Sequence, residues 1–431
     1  MNKRDVKLYY LIAILLILIF TTYSFSFAGE LNLVGESAIL IDKDTGQILY
    51  EKNPHKQMYP ASTTKIMTAI LAFEKGNMED IVTIDEEIVN LTDGSHIALE
   101  TGEEILFKDL VNALLIESAN DAALAIAKHI SGSIEEFVKL MNDKAKEIGA
   151  LNTNFTNPNG LPDENHVTTA YDLSLMAKYA MEIEGFKDIV KHYTYQIPPT
   201  NKKDEIRYLK SHNRLLYSTQ KINVDGNMVP IKYEGTNGVK SGYTQAAKSC
   251  LVASAVKNNQ NLIAVVLKSD GYELYADIHK LFNYGFNNFE KINICNENQF
   301  VDNIPIIDGE HSFVAGITKE NLTLNIPKGS QDKIEKKVII NDEIHAPIEK
   351  NQALGRIQYY LDGELLGEVN IVSTLAVDEV LIESFKDKLL AKWYIPLTIL
   401  IVIIILLFIN AKIKRKQRRK RRKSLYESRN I

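Results

Sequence analysis

The stretch Pro60-Ala61-Ser62-Thr63-Thr64-Lys65-Ile66-Met67-Thr68-Ala69-Ile70 sets a serine three residues before a lysine at the mouth of an apolar run. Residues three apart share one face of a helix, so in that state the Lys65 amine reaches the Ser62 hydroxyl. Two readings follow. Ser62 is a nucleophile with Lys65 as its base, or Ser62 is an N-cap for free N–H groups of the first turn and Lys65 is solvated. The same spacing recurs at Ser218 and Lys221 and at Ser254 and Lys257. Ser254 lies in a strand-like run, where residues three apart point to opposite faces, and Ser218 precedes the turn Asn223-Val224-Asp225-Gly226. Of these three pairs, only that of Ser62 opens a helix.

Outward from that stretch, Ser37-Ala38-Ile39-Leu40-Ile41-Asp42 and Gln47-Ile48-Leu49-Tyr50-Glu51 flank Asp44-Thr45-Gly46, a hairpin signal. Apolar residues recur at three- and four-residue spacing over 63–74, 107–117, 120–130 and 135–148, which predicts amphipathic helices. Residues 251–256 and 262–267 return to short β-rich runs, a second hairpin packed on those helices. The pattern is α+β, with terminal strands enclosing a helical middle. From about 296 to 375 the character is all-β, with Val338-Ile339-Ile340 and a hairpin turning at Asp362-Gly363. A linker helix is expected from about Val377 to 392.

The two ends set the compartment. Lys3, Arg4 and Lys7 precede an apolar run over 8–20 and the small-residue pattern Ser26-Phe27-Ala28, so 1–28 reads as a signal peptide, with an uncleaved anchor as the other reading. At the far end, 393–410 is a transmembrane helix, its apolar run 393–409 making about 25 Å of helix, and 411–431 is a basic tail. By the positive-inside rule that tail is cytoplasmic and the body between is extracytoplasmic, a single-pass arrangement. The whole chain carries −5. Setting the leader and tail aside leaves a body of about −18, which argues against a nucleic-acid partner. Beside a span, the basic tail suits lipid headgroups better than nucleic acid. Cys250 sits in an apolar run and reads as a buried thiol; a bridge to Cys295 stays open.

Two further motifs follow the first in chain order. Glu117-Ser118-Ala119-Asn120-Asp121 lies between two expected helices, where a loop exposes its side chains. Ser-x-Asn recurs at Ser211–Asn213 and Ser428–Asn430, so taken alone it reads as a cap. Gly238-Val239-Lys240-Ser241-Gly242-Tyr243-Thr244 holds the chain's one Lys-Ser/Thr-Gly, with glycines that let a strand edge approach a ligand backbone. An ordinary solvated lysine at a strand start is the other reading of Lys240. No histidine spacing suits a metal and no glycine-rich loop suits a phosphate, so no cofactor is implied.

The ordered set Ser-x-x-Lys, Ser-x-Asn, Lys-Ser/Thr-Gly resembles that of penicillin-binding proteins and serine β-lactamases. The chain is most similar to the low-molecular-mass serine D-Ala-D-Ala carboxypeptidases, over nearly all of its exported part. Phe155-Thr156-Asn157-Pro158-Asn159-Gly160-Leu161 and Thr168-Thr169-Ala170-Tyr171-Asp172-Leu173 join the likeness. Three departures stand out. Asn159 replaces the family's usual histidine, Ser241 replaces its commoner threonine, and the C-terminus appears as a spanning helix where the family often has an amphipathic one.

That resemblance implies a DD-peptidase/β-lactamase-like catalytic domain over 29–290, then a β-sandwich over 296–375. It implies that Ser62 attacks the carbonyl of the penultimate D-Ala in peptidoglycan stem peptides, with Lys65 accepting the proton. Ser118 relays a proton to the leaving D-Ala and Asn120 orients Lys65 and the substrate. The backbone N–H groups of Ser62 and Tyr243 meet the oxyanion, donors worth about 3 kcal/mol each. Lys240, Ser241, Gly242 and Thr244 face the terminal carboxylate. β-Lactams are then covalent inhibitors. A β-lactamase, with Glu164 the one loop glutamate to weigh for activating water, and a non-catalytic penicillin-binding sensor or wall scaffold are the alternatives.

Overall fold

The computed structural model describes residues 31–380, 392 and 394–427. The expected signal segment and the Ser428–Asn430 pair lie outside the described residues. Two compact units form, the first running to Ile294 and taking in Leu322–Glu335 and Tyr360–Leu366.

The first unit opens with the hairpin of β1 (Ser37–Asp42) and β2 (Ile48–Lys52). Its turn is held by Asp42, whose Oδ1 accepts from the Thr45 amide at 2.8 Å and the Thr45 hydroxyl at 2.9 Å. A 3₁₀ turn, Ala61–Thr64, leads into α1 (Lys65–Lys75). The middle of the unit is helical: α2 (Glu86–Leu91), α3 (Phe107–Asn112), α4 (Asn120–Ser131), α5 (Ile134–Ile148), α6 (Ala170–Ala180) and α7 (Glu184–Val190). Three two-stranded ribbons interrupt it: β3 (Ile81–Thr83) with β4 (Glu104–Leu106), β5 (Thr194–Ile197) with β6 (Arg207–Lys210), and β7 (Lys221–Val224) with β8 (Asn227–Pro230). The chain then lays down β9 (Thr236–Thr244), β10 (Lys248–Lys257) and β11 (Gln260–Ser269), followed by α8 (Glu273–Asn288).

The five long strands make one antiparallel sheet in the order β2-β1-β11-β10-β9. Both faces are covered. Ile39, Ile41, Val252, Ile263 and Val265 point into the core shared with the helical middle. Their alternates Leu40, Leu251, Ala253, Leu262 and Ala264 point into a second core with Ile278, Leu281 and Phe282 of α8. Burial on both faces is why these strands read as continuous apolar runs. Helix α1 is buried from Lys65 through Ala72, so it is a central rod with no solvent face.

Asp277 on α8 pins the entry to β1. Its carboxylate accepts from the amides of Val34 at 3.0 Å and Gly35 at 2.7 Å and from the Ser269 hydroxyl at 3.1 Å.

After α8, β12 (Phe289–Cys295) pairs with β15 (Leu322–Pro327). The second unit is built on a sheet of β13 (Phe300–Pro305), β14 (Phe313–Thr318), β16 (Ile334–Ile340), β17 (Ala353–Leu361) and β18 (Glu364–Ser373), ordered β13-β14-β18-β17-β16. Ile304, Val314, Leu354, Ile357, Val369 and Ile371 are its buried apolar side chains. The expected helix from Val377 is corrected over its start: Val377 and Glu379 form β-bridges with Ile348 and Gly309. The two backbone hydrogen bonds that Val377 and Ile348 exchange hold that stretch extended, and 381–391 lie outside the described residues. A final helix, α9 (Tyr394–Glu427), is long and apolar enough to cross a membrane over its first part and continues through the basic run. Cys250 and Cys295 are both free and buried.

Replacing Asp277 by alanine leaves two buried donors, the Gly35 amide and the Ser269 hydroxyl, without an acceptor, each worth about 1–3 kcal/mol. Urea denaturation of Asp277→Ala is expected to show about 3 kcal/mol less stability than wild type.

Candidate active site

The turn that carries Ser62 is shaped by its own local contacts. Pro60 precedes it, Ala61 takes a φ of 49°, and the Thr63 hydroxyl donates back to the Pro60 carbonyl at 2.7 Å. Ser62 makes no cap bond; its Oγ lies 3.0 Å from Lys65 Nζ. The cap reading of Ser62 is therefore not the one adopted.

Lys65 is fully buried, and its amine meets two further oxygens, Asn120 Oδ1 and the Asn159 carbonyl, each at 2.6 Å. Burial, and after it the nearby charge of Lys240, hold its pKa well below the usual lysine value. A neutral amine has two N–H bonds and one lone pair. Asn120 and Asn159 take the two N–H bonds, which leaves the lone pair for the Ser62 O–H.

Ser118 and Asn120 come from an irregular join. A π-helical turn, Ala113–Glu117, ends at Ser118 in the left-handed region, φ 65°, and α4 starts at Asn120. Strain of this kind is concentrated at functional sites. Asn120 is held from behind as its amide donates to the Asp93 carbonyl. Lys240, on the edge strand β9, is also buried, with Nζ 2.9 Å from both Ser118 Oγ and the Ser241 carbonyl. Burial lowers its pKa to about 7.

These groups back a cleft of about 380 Å³. Ser62, Ser118, Asn120, Ser241, Gly242, Tyr243 and Thr244 all line it. Lys65 and Lys240 lie behind its wall. No carboxylate lines it among the described residues, and Glu164, weighed above for water activation, is exposed in its loop. Gly242 explains how the strand comes so close: a Cβ there would sit 2.7 Å from the Ser62 amide nitrogen.

The decoys are placed elsewhere. Ser254 is buried in β10 with Lys257 exposed, and Ser218 is buried with Lys221 exposed. Asn213 is a cap, accepting from the Leu215 amide at 3.2 Å.

Residues 26–271 match the family model described as D-alanyl-D-alanine carboxypeptidase, and residues 289–379 match that of the penicillin-binding protein 5 C-terminal domain. The chain belongs to the D-alanyl-D-alanine carboxypeptidase family. It is 37% identical to the carboxypeptidase DacF of Bacillus subtilis over 85% of this chain and 91% of that one. The solved structure of penicillin binding protein 5 from Haemophilus influenzae matches with a TM-score of 0.71 at 29% identity, covering 82% of this chain and all of that one. A mutant of the Streptomyces K15 DD-transpeptidase matches with a TM-score of 0.54 at 28% identity, covering 60% of this chain and all of that one. The fold is thus that of a penicillin-binding protein with a C-terminal β domain, and the chain is a serine-type carboxypeptidase.

Sequence reasoning missed part of this carboxypeptidase site. The Asn159 contact runs through a backbone carbonyl, which no side-chain pattern signals. Gly160 does carry a signal, since its φ is 86° and a Cβ would lie 2.0 Å from the Ala61 carbonyl oxygen. His166 and Thr64, hydrogen bonded at 2.8 Å, gave no motif.

Gly242→Ala pushes a methyl against the Ser62 amide. Steady-state kinetics are expected to show kcat/KM lower by at least about a hundredfold, while circular dichroism stays that of wild type.

Proposed function

We propose that Ser62 is the nucleophile that takes the substrate's acyl group when this carboxypeptidase removes the terminal D-alanine of peptidoglycan stem pentapeptides. The observation that carries the reading is the Lys65 amine, buried, lowered in pKa and 3.0 Å from Ser62 Oγ with its other hydrogens already engaged. Lys65 takes the hydroxyl proton as Ser62 Oγ bonds to the penultimate D-Ala carbonyl carbon. The oxyanion is met by the amides of Ser62 and Tyr243, a role that the close pass of Gly242 beside the Ser62 nitrogen supports.

As the C–N bond breaks, Ser118 relays the proton that Lys65 took to the departing D-alanine amine, a role supported by its place between the cleft and Lys240. Water then hydrolyses the acyl-enzyme and returns Ser62. Ser241, Gly242 and Thr244 receive the substrate's C-terminal carboxylate, with Lys240 supplying charge from behind Ser118 and Ser241. β-Lactams, which present a reactive amide and a carboxylate to the same groups, acylate Ser62. A glutamate-activated β-lactamase finds no support in a cleft that no carboxylate lines among the described residues.

The apolar helix α9 anchors the enzyme, and the basic run after its apolar part supports a single pass with the catalytic domain outside. In this arrangement 1–28 directs export.

Ser62→Ala is expected to lower D-Ala release from a pentapeptide ending in D-Ala-D-Ala by at least about a thousandfold and to abolish labelling by a fluorescent penicillin. Release that persists at the wild-type rate sinks the proposal. Lys240→Met removes two hydrogen bonds and a charge, so kcat/KM is expected to fall by about 10- to 150-fold. The same change removes the repulsion that lowers Lys65, so its pKa rises and the acid limb of kcat/KM moves to higher pH.

A further inference from the structure

A seam runs between the nucleophile turn and the loop Asn157-Pro158-Asn159-Gly160. The loop passes so close that a Cβ on Gly160 would meet the Ala61 carbonyl oxygen at 2.0 Å. It gives two carbonyls to α1: Pro158 O accepts from the Thr68 hydroxyl and Asn159 O from the Lys65 amine, each at 2.6 Å. Inside the loop, Asn157 Oδ1 accepts from the Gly160 amide at 2.7 Å and fixes the turn.

A third tie crosses the same seam at its base. The His166 ring is 1% exposed and packs on Phe155, centroids 5.6 Å apart. Its Nδ1 accepts from the Thr156 amide at 3.0 Å, so the proton of the neutral ring sits on Nε2. Nε2 therefore donates to Thr64 Oγ1 at 2.8 Å, between Ser62 and Lys65 in sequence. One neutral ring joins the loop that supplies the Asn159 carbonyl to the turn that supplies Ser62.

We propose that His166 is a positioning residue for acyl transfer, clamping the Asn159 loop to the Thr64 turn so that the Lys65 lone pair stays aimed at Ser62. The inference rests on the reading of Ser62 and Lys65 as the reacting pair. His166 touches neither substrate nor reacting atoms. A protonated ring would set an Nδ1–H against the Thr156 amide, with the Thr156 hydroxyl at 3.2 Å left to accept it, and so loosen the clamp. Burial holds the ring neutral with a pKa of about 4, against the opposing charge of Asp163. The unfolded chain protonates this histidine near 6.5, so between about 6.5 and 4 the unfolded state binds more protons and stability falls as pH falls.

The test uses the full-length chain in detergent micelles, with D-Ala release from a pentapeptide ending in D-Ala-D-Ala. His166→Asn keeps an acceptor for Thr156 and loses Thr64; His166→Gln keeps a donor for Thr64 and loses Thr156. Each half-clamp is expected to lower kcat by about tenfold or more with KM within about threefold, in protein that remains folded by circular dichroism. Adding Thr64→Val to His166→Asn should cost nothing further, and adding it to His166→Gln should cost kcat again. As the Asn159 carbonyl slackens, Lys65 loses an acceptor that favours its charged form, so the acid limb of kcat/KM shifts to lower pH. The slope of stability between pH 6.5 and 4 should flatten in both variants.

Wild-type kcat in both half-clamp variants, or additive losses from Thr64→Val on His166→Asn, overturns the clamp. Failure of the reading beneath it looks different: D-Ala release would then survive Ser62→Ala.

Discussion

A lysine amine held away from water, with all but one of its bonding directions already taken, is the constraint on which the rest depends. An exposed lysine is protonated near neutrality and is no base. Full burial of Lys65 makes the charged form costly, and Lys240 behind the same wall adds repulsion. Burial alone would only hide the amine. Two acceptors from distant parts of the chain, Asn120 Oδ1 and Asn159 O, orient it toward Ser62.

Holding these donors and acceptors to a few tenths of an ångström requires a stiff mount. Helix α1 is enclosed along its first eight residues, so the turn before it cannot drift without disturbing the main core. The sheet is rigid for the same reason, being covered on both faces, and presents β9 as its edge with Lys240 facing inward. Loop, helix and strand meet at Ala61 and Ser62, where two glycines, 160 and 242, permit contact that a methyl group would forbid.

Much of this was legible in the sequence. Hairpin turns at Asp44-Thr45-Gly46 and Asp362-Gly363 carry their own chemistry, and the two-sided sheet announces itself as unbroken apolar runs. The order of three weak motifs gathered Ser62, Lys65, Ser118, Asn120 and Lys240 around one site, which the structure brings together within hydrogen-bond reach. What escaped reading depends on tertiary placement. The 107–117 helix turns π-helical at Ala113, because the backbone there bends to present Ser118 in a left-handed conformation that no periodicity encodes. The extended start of the Val377 segment is imposed by pairing with Ile348, a partner remote in sequence.

Asn159 shows most clearly why letters and chemistry diverge. Its side chain differs from the family's usual histidine, yet the atom that meets Lys65 is the carbonyl oxygen, which every residue supplies. Its Oδ1 accepts from the Leu161 amide at 3.1 Å and so supports the same turn from within. Gly160 beside it is the opposite case, since there the missing Cβ is what lets the loop pass the Ala61 carbonyl. The departure at Ser241 divides the same way. The carbonyl that holds Lys240 is unaffected by the change from threonine, while the hydroxyl that lines the cleft loses the methyl that would restrict its rotamer. At this site backbone atoms hold Lys65 through Asn159 and Lys240 through Ser241, whereas side-chain volume decides the close passes at Gly160 and Gly242.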